Sequence, residues 1–419
     1  MSIGSLAPAT RLPEVGFKAP ELLGESTGPI LVVGPGSHFL SGVSYYTTAL
    51  SRALADGSEV ATLFMRKLCP RRLYPGAARV GKPLGELSLP DEVKVFDGLD
   101  WFWGRSAVRA MRFLREVRPE FVLLQWWTAT TAHSYIALAE AAQRLGAKVV
   151  IEFHEVQDVG EAQVPGMAAY ARRAMGALLR RTDGIVVHSS GDAEAVRNAY
   201  RAAADIPLAV IHHGPFKLPT VARLPRPVGA PLQLLHFGVV RPYKGLEELA
   251  EAFCRLLAAG ENVHLNVVGE VWHGYRKPFE ILSHVPANRY TIVDRYVEDA
   301  EVARWFATAD MVVLPYRRSS ASGPLHMTMA QGLPVVTTAV GGLVEVTKDY
   351  SGAVLVRPED PIELAAGILR AKHRVGHTHE DPHSWSRNAE RYRELFTQID
   401  RSRIGGNLVR LPELPPEAA

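Results

Sequence analysis

Cysteine is nearly absent: Cys69 and Cys254 stand far apart in sequence. Neither a disulfide framework nor a Cys-x-x-Cys metal site can be built from them, and a reducing cytoplasm is the expected compartment. No apolar run is long enough to span a bilayer. The first 29 residues are rich in Pro, Gly, Ser and Glu and lack the apolar stretch of a signal peptide. An excess of one charge is missing too. A formal net charge of +3 demands no nucleic-acid partner. The glycine turn Gly34-Pro35-Gly36 lacks the third glycine of the dinucleotide fingerprint, which disfavours a dehydrogenase. No Asp-x-Asp offers to bridge a metal to a phosphate, and no carboxylate pair stands out as nucleophile and acid.

What is present is a repeated alternation of short apolar runs and amphipathic stretches. Ile30–Val33 reads as a buried strand, followed by a glycine turn and a helix over Val43–Ala55. Strands at Phe121–Leu124, Lys148–Phe153, Gly184–His188 and Leu208–His212 continue the series, with helices at Ser134–Leu145 and Asp192–Arg201. A proline-rich loop, Lys217–Pro231, then separates a second series. Its strands are Leu232–Phe237, His264–Val268, Thr291–Val293, Met311–Pro315, Pro334–Thr338 and Ala353–Val356. Its helices are Leu246–Ala258, Val302–Thr308, His326–Gln331 and Pro361–His373. Trp385–Phe396 reads as a last amphipathic helix. Two α/β series imply two doubly wound parallel sheets, each binding ligands at the carboxyl ends of its strands. The expected boundaries are a loose tail at 1–28, a first domain at 29–218, a linker at 219–231, a second domain at 232–380, a helix at 381–402 packing back across the domains, and a tail at 403–419.

Two segments carry charge chemistry. In Phe237-Gly238-Val239-Val240-Arg241-Pro242-Tyr243-Lys244-Gly245, a strand ends, Gly238 turns the chain, and two cations precede a helix. A guanidinium grips phosphate oxygens bidentately and an ammonium adds a compact charge. Ser322-Gly323 opens the later helix, whose free N–H groups and dipole favour an anion, although serine is also an ordinary cap.

Taken in order, Gly238 to Gly245, Ala309 to Tyr316, Ser322-Gly323, Gly332-Leu333-Pro334-Val335-Val336 and Gly341-Gly342 resemble the C-terminal domain of family 4 retaining glycosyltransferases. Ser41-Gly42 and Glu152-Phe153-His154-Glu155 resemble the N-terminal motifs of that family, so the likeness runs from about Ile30 to Phe396. It implies a GT-B fold, two Rossmann-like domains facing a central cleft. It implies that Arg241, Lys244 and the amides of Ser322 and Gly323 hold a donor diphosphate, that Ser41 and Gly42 approach the phosphates, and that His154 faces the transferred sugar. The co-substrate would be a nucleotide-diphosphate sugar, UDP- or GDP-linked, with no cofactor and no metal ligand. Transfer would go to a hydroxyl on a glycan, a lipid-linked intermediate or a small metabolite.

The chain departs from the family at two glutamates eight positions apart, where Ser319 and Met327 stand. Methionine accepts no ribose hydrogen bond, which leaves His326 or a neighbour to substitute, or a different donor, or a non-catalytic binding protein. A nucleotide-sugar 2-epimerase shares the architecture but needs carboxylates that the sequence does not nominate. On the acceptor side, Trp126, Trp127, Trp101 and Trp103 either stack on sugars or fill the core. The basic segment 66–82, with Arg66, Lys67, Arg71, Arg72, Arg79 and Lys82, suits an anionic membrane surface, a phosphorylated acceptor or plain solvent.

Overall fold

The computed structural model describes residues 28–36, 42–67, 88–156, 166–216, 218–223, 227–272, 274–319 and 322–404. Two parallel sheets follow one another along the chain. The first contains β1 (Ile30–Pro35), β2 (Val60–Lys67), β3 (Lys94–Asp100), β4 (Phe121–Trp126), β5 (Lys148–Phe153), β6 (Gly184–Val187) and β7 (Leu208–Val210), in the spatial order β3-β2-β1-β4-β5-β6-β7. Its helices are α1 (Gly42–Ala55), α2 (Gly104–Val117), α3 (Ala132–Arg144), α4 (Met167–Leu179) and α5 (Ser190–Ala199). The second sheet contains β8 (Leu232–Phe237), β9 (Val263–Val268), β10 (Tyr290–Val293), β11 (Met311–Leu314), β12 (Val335–Thr338) and β13 (Ala353–Val356), ordered β10-β9-β8-β11-β12-β13. Its helices are α6 (Leu246–Ala258), α7 (Lys277–Leu282), α8 (Asp299–Thr308), α9 (Gly323–Ala330), α10 (Gly342–Thr347) and α11 (Pro361–Ala371). A twenty-residue helix, α12 (Trp385–Ile404), ends the described chain.

Each sheet reverses its winding beside its first strand, at β1/β4 and at β8/β11. That switch point is where a doubly wound sheet opens a crevice for ligands. The central strands are buried on both faces: every residue of β1 and β4 is covered. This is why their sequences run continuously apolar rather than alternating. Close packing sets one requirement for glycine. A Cβ at Gly34 would lie 2.5 Å from Thr47 Oγ1 of α1, so the first turn is small because a helix crosses it closely.

α12 does not stay with the second domain. Its Tyr392, Leu395, Phe396 and Ile399 are buried in one cluster with Ile30, Val32, Phe121 and Val150 of the first sheet. Phe396 stacks on Phe121 with ring centroids 4.1 Å apart. The domains also meet directly. Tyr45 Oη of α1 donates to the Asp299 carboxylate at 2.6 Å, and the Ser190 N–H donates to Glu345 Oε2 at 2.9 Å. No described helix is long and apolar enough to cross a membrane.

Candidate functional site in the cleft

At the second switch point the chain leaves β8 through Gly238, whose φ is +108°. A Cβ there would lie 2.8 Å from Lys244 Nζ and 3.5 Å from Pro324 Cγ. The glycine therefore makes room for the lysine head, and the same spot touches the first turn of α9. Lys244 is buried, and its Nζ lies 5.4 Å above the ring of Tyr316. Tyr316 in turn receives a hydrogen bond at 3.3 Å from Ser322 Oγ, which caps α9 by accepting from the Leu325 N–H. Gly238, Lys244, Ser322 and Gly323 thus converge on one place. The charge on Lys244 acts locally: burial first, then this neighbouring cation, bring the His236 imidazole down to about 4.

Arg241 sits half-buried with its guanidinium 4.2 Å from the centre of the Trp272 ring. Trp272 was not nominated from the sequence, because nothing in its spacing distinguishes it from a core residue. Arg317, three residues after the β11 strand end, is neutralised by Glu248 at 2.7 Å and Glu247 at 3.4 Å. It supports the loop and brings no net charge to the cleft.

The first domain contributes a histidine cluster. His154 follows β5, His188 follows β6 and His213 lies just beyond β7, so three neighbouring strands deliver three imidazoles to one end of the sheet. All three are buried. His213 stacks at 24° on Phe216 and faces His326 of α9, with ring centroids 5.2 Å apart. His154 lies behind His213 in this cluster, their ring centroids 5.8 Å apart. His326 turns its ring into this cluster, while its neighbour Met327, one of the two departed positions, is half-buried and packs against the apolar core around Leu325 and Met329. The Ser319 carbonyl lies under Gly341, where a Cβ would approach it to 1.9 Å.

Behind the cluster, Glu152 is fully buried. It accepts from Gln125 Nε2 at 2.6 Å and from Tyr392 Oη at 2.5 Å. Burial pushes His154, His213 and His326 well below the ordinary 6.5, with neighbouring histidines adding to it. Such rings are neutral when folded and take up protons near pH 6.5 only on unfolding. Stability is therefore complete above about pH 6.5 and falls as the pH drops below it, by about 1.4 kcal/mol per unit for each ring held neutral. Urea midpoints at pH 7, 6 and 5 should fall steeply. Equal midpoints would show that the rings protonate within the fold.

Of the four tryptophans, Trp126 touches this cluster through its backbone, its carbonyl accepting from the His154 N–H at 2.8 Å. Trp101 and Trp103 pack around His133, and Trp103 donates to Ser134 Oγ at 2.8 Å. Trp103 lines an apolar cavity of about 340 Å³ between α2 and α3. Trp126 and Trp127 are buried and line a second cavity, about 410 Å³, with Val156, Arg172 and Tyr200. A Cβ at Gly42 would meet no described atom within 4 Å. Ser41 lies outside the described residues, as does the basic segment beyond Lys67.

Comparison with known proteins agrees with this architecture. Residues 40–215 match the family described as Glycosyltransferase Family 4, and residues 231–373 match Glycosyl transferases group 1. The chain is 26% identical to a D-inositol 3-phosphate glycosyltransferase of Xylanimonas cellulosilytica, over 94% of this chain and 99% of that one. Its fold resembles sucrose-phosphate synthase of Thermosynechococcus elongatus, with a TM-score of 0.57, 18% identity and coverage of 91% and 100%. It also resembles an Anabaena protein solved with UDP and glucose, with a TM-score of 0.56, 17% identity and coverage of 91% and 99%. The two family matches fall one on each sheet, and the chain belongs to the group 1 glycosyltransferases of family 4, with a GT-B fold.

Proposed function

We propose that this glycosyltransferase moves a hexose from a nucleoside-diphosphate sugar, UDP- or GDP-linked, to a hydroxyl acceptor with retention of anomeric configuration. The observation that carries this reading is the convergence of buried Lys244, Gly238 and the capped start of α9 at the second switch point. Departure of a diphosphate builds negative charge. A cation and N–H groups already in position stabilise that charge without reorganising. Arg241 adds a second cation, stacked on Trp272.

In this reading Lys244, Arg241 and the Ser322 and Gly323 amides hold the diphosphate, with Ser41 and Gly42 approaching from the first domain. His154 faces the sugar. His326 takes the polar role that Met327 cannot fill. The leaving phosphate itself receives the acceptor proton, so no carboxylate nucleophile is needed. The Anabaena structure holds UDP and glucose, and the Xylanimonas relative is named for an inositol phosphate acceptor. Both fit a nucleotide-sugar donor and a polyhydroxylated small-molecule acceptor here.

A thermal-shift screen against UDP, GDP, dTDP, ADP and their sugar conjugates tests the donor class, since a ligand that binds only the folded chain raises its melting temperature. One nucleotide family should give a clear shift. In this reading Lys244 and Arg241 supply the positive charge at the diphosphate, so added Mg²⁺ should leave the shift and the turnover unchanged. No shift with any nucleotide would favour a non-catalytic binding protein.

A further inference from the structure

The hydrogen bonds around His154 and His188 fix both ring tautomers. Glu152 accepts from the Gln125 amide nitrogen, so Gln125 turns its Oε1 to His154 Nε2, 2.6 Å away. That oxygen only accepts, and His154 Nε2 carries the proton. His188 Nδ1 lies 2.9 Å from the Ile211 carbonyl and carries its proton for the same reason. The two remaining nitrogens, His154 Nδ1 and His188 Nε2, face each other at 3.1 Å. In neutral rings both present lone pairs, and two acceptors do not hold one another. Something positive belongs between them.

His213 stands beside this pair with its Nδ1 buried and without a hydrogen-bond partner. One nitrogen from each of His154, His188 and His213 lies within 4.8 Å of the others. Zinc–imidazole bonds of about 2.0–2.1 Å at tetrahedral angles place ligand nitrogens about 3.3 Å apart, close to the spacing of the first pair. Metal-bound histidines also donate their second N–H to a carbonyl or carboxylate, which orients the ring. His154 and His188 both do so. A neutral imidazole is the form that ligates. Glu152, 3.8 Å from His188 Nε2, supplies negative charge behind the site.

We infer that His154, His188 and His213 form a binding site for one divalent transition-metal cation of the zinc class, at the end of the first sheet. Three imidazoles select zinc, cobalt, nickel or copper over magnesium. Three protein ligands leave a fourth position open, and the ring of His326 stands next to His213. The site lies beside the proposed donor site and shares His154 with it, while Lys244 and Arg241 of the diphosphate grip contribute no ligand. It does not depend on the proposed donor chemistry, because it is read by binding alone.

The test uses the full chain without an affinity tag, stripped with chelator and titrated with zinc chloride. Elemental analysis after gel filtration should give one zinc per chain, and cobalt should give the intense visible absorption of a tetrahedral site. His188→Ala and His213→Asn, each checked for folding by circular dichroism, should lose that one equivalent. A double variant of the exposed His373 and His377, each to alanine, should keep it. Should His188→Ala fail to fold, His213→Asn and the wild-type stoichiometry still decide. No zinc retained by the wild type would overturn the inference. Zinc retained by both ligand variants would overturn it as well.

Discussion

Lys244→Ala is expected to lower turnover by about two orders of magnitude or more, the scale seen when one preorganised donor to a developing anion is removed. The head of this lysine is held beneath Gly238 and above Tyr316, beside the start of α9. Alanine leaves that place without its ammonium. Lys244→Arg should not restore the rate, because a planar guanidinium is broader than the space that a glycine clears for a compact ammonium. A second readout separates charge from packing. The Lys244 cation contributes to the low value of His236, so the His236 titration should move upward in Lys244→Ala, as followed by imidazole NMR. Unchanged kinetics would remove Lys244 from the site.

Gly245→Ala is expected to be the most damaging single substitution to the second domain. Gly245 has φ +69°, a left-handed conformation that costs other residues about 1–2 kcal/mol. Its Cβ would also fall 1.8 Å from the Pro315 carbonyl oxygen. That neighbour is backbone at the end of β11 and cannot rotate away. Relief means moving the strand end that carries Tyr316, or moving α6, which begins at Leu246. Strain and displacement together should cost about 3 kcal/mol or more, in the range where a specific steric cause is required. Thermal unfolding should show a fall of about 6 °C or more. A variant that melts like the parent would mean that the turn has an alternative path.

The fold was legible where periodicity is strong. β5, β8, α6 and β13 have the bounds that their apolar patterns predict. Of the elements that sequence reading passed over, β2 is buried from Val60 to Met65 and was readable, whereas the others have weak patterns. β3 is an edge strand whose residues are mostly exposed or half-buried, so Lys94, Asp97 and Gly98 dilute its pattern. α2 buries only Ala110, Leu114 and Val117. With Arg105, Arg109, Arg112 and Arg115 on the same fourteen residues, that apolar stripe is easily read as loop. α4 is rich in alanine and glycine, and α7 and α10 span six residues each.

The site was legible in part for the same kind of reason. Gly238, Lys244 and the start of α9 lie at strand ends marked by turns, and the structure draws them together. His188 and His213 were missed because they stand 34 and 59 positions from His154 in sequence. Only strand order makes them neighbours. A signal was available: a histidine at or just past the carboxyl end of three consecutive strands of one sheet. Reading each strand end as a row across the sheet, rather than each motif along the chain, would have found it.

The position of α12 has a consequence for synthesis. The first domain is encoded first but completed last. Until the final described helix emerges, Ile30, Val32, Phe121 and Val150 lack the part of their apolar cover that Tyr392, Leu395, Phe396 and Ile399 supply in the finished protein. A ribosome that has released residues 29–218 therefore holds a sheet whose face is covered by α1 but not by α12, and it must translate the whole second domain before Tyr392 and Phe396 arrive. Trp385 Nε1 then bonds the Pro215 carbonyl at 2.9 Å, fastening the incoming helix beside the point where the chain first left that domain. Completion of the first half is thus a signal that the second half has been made.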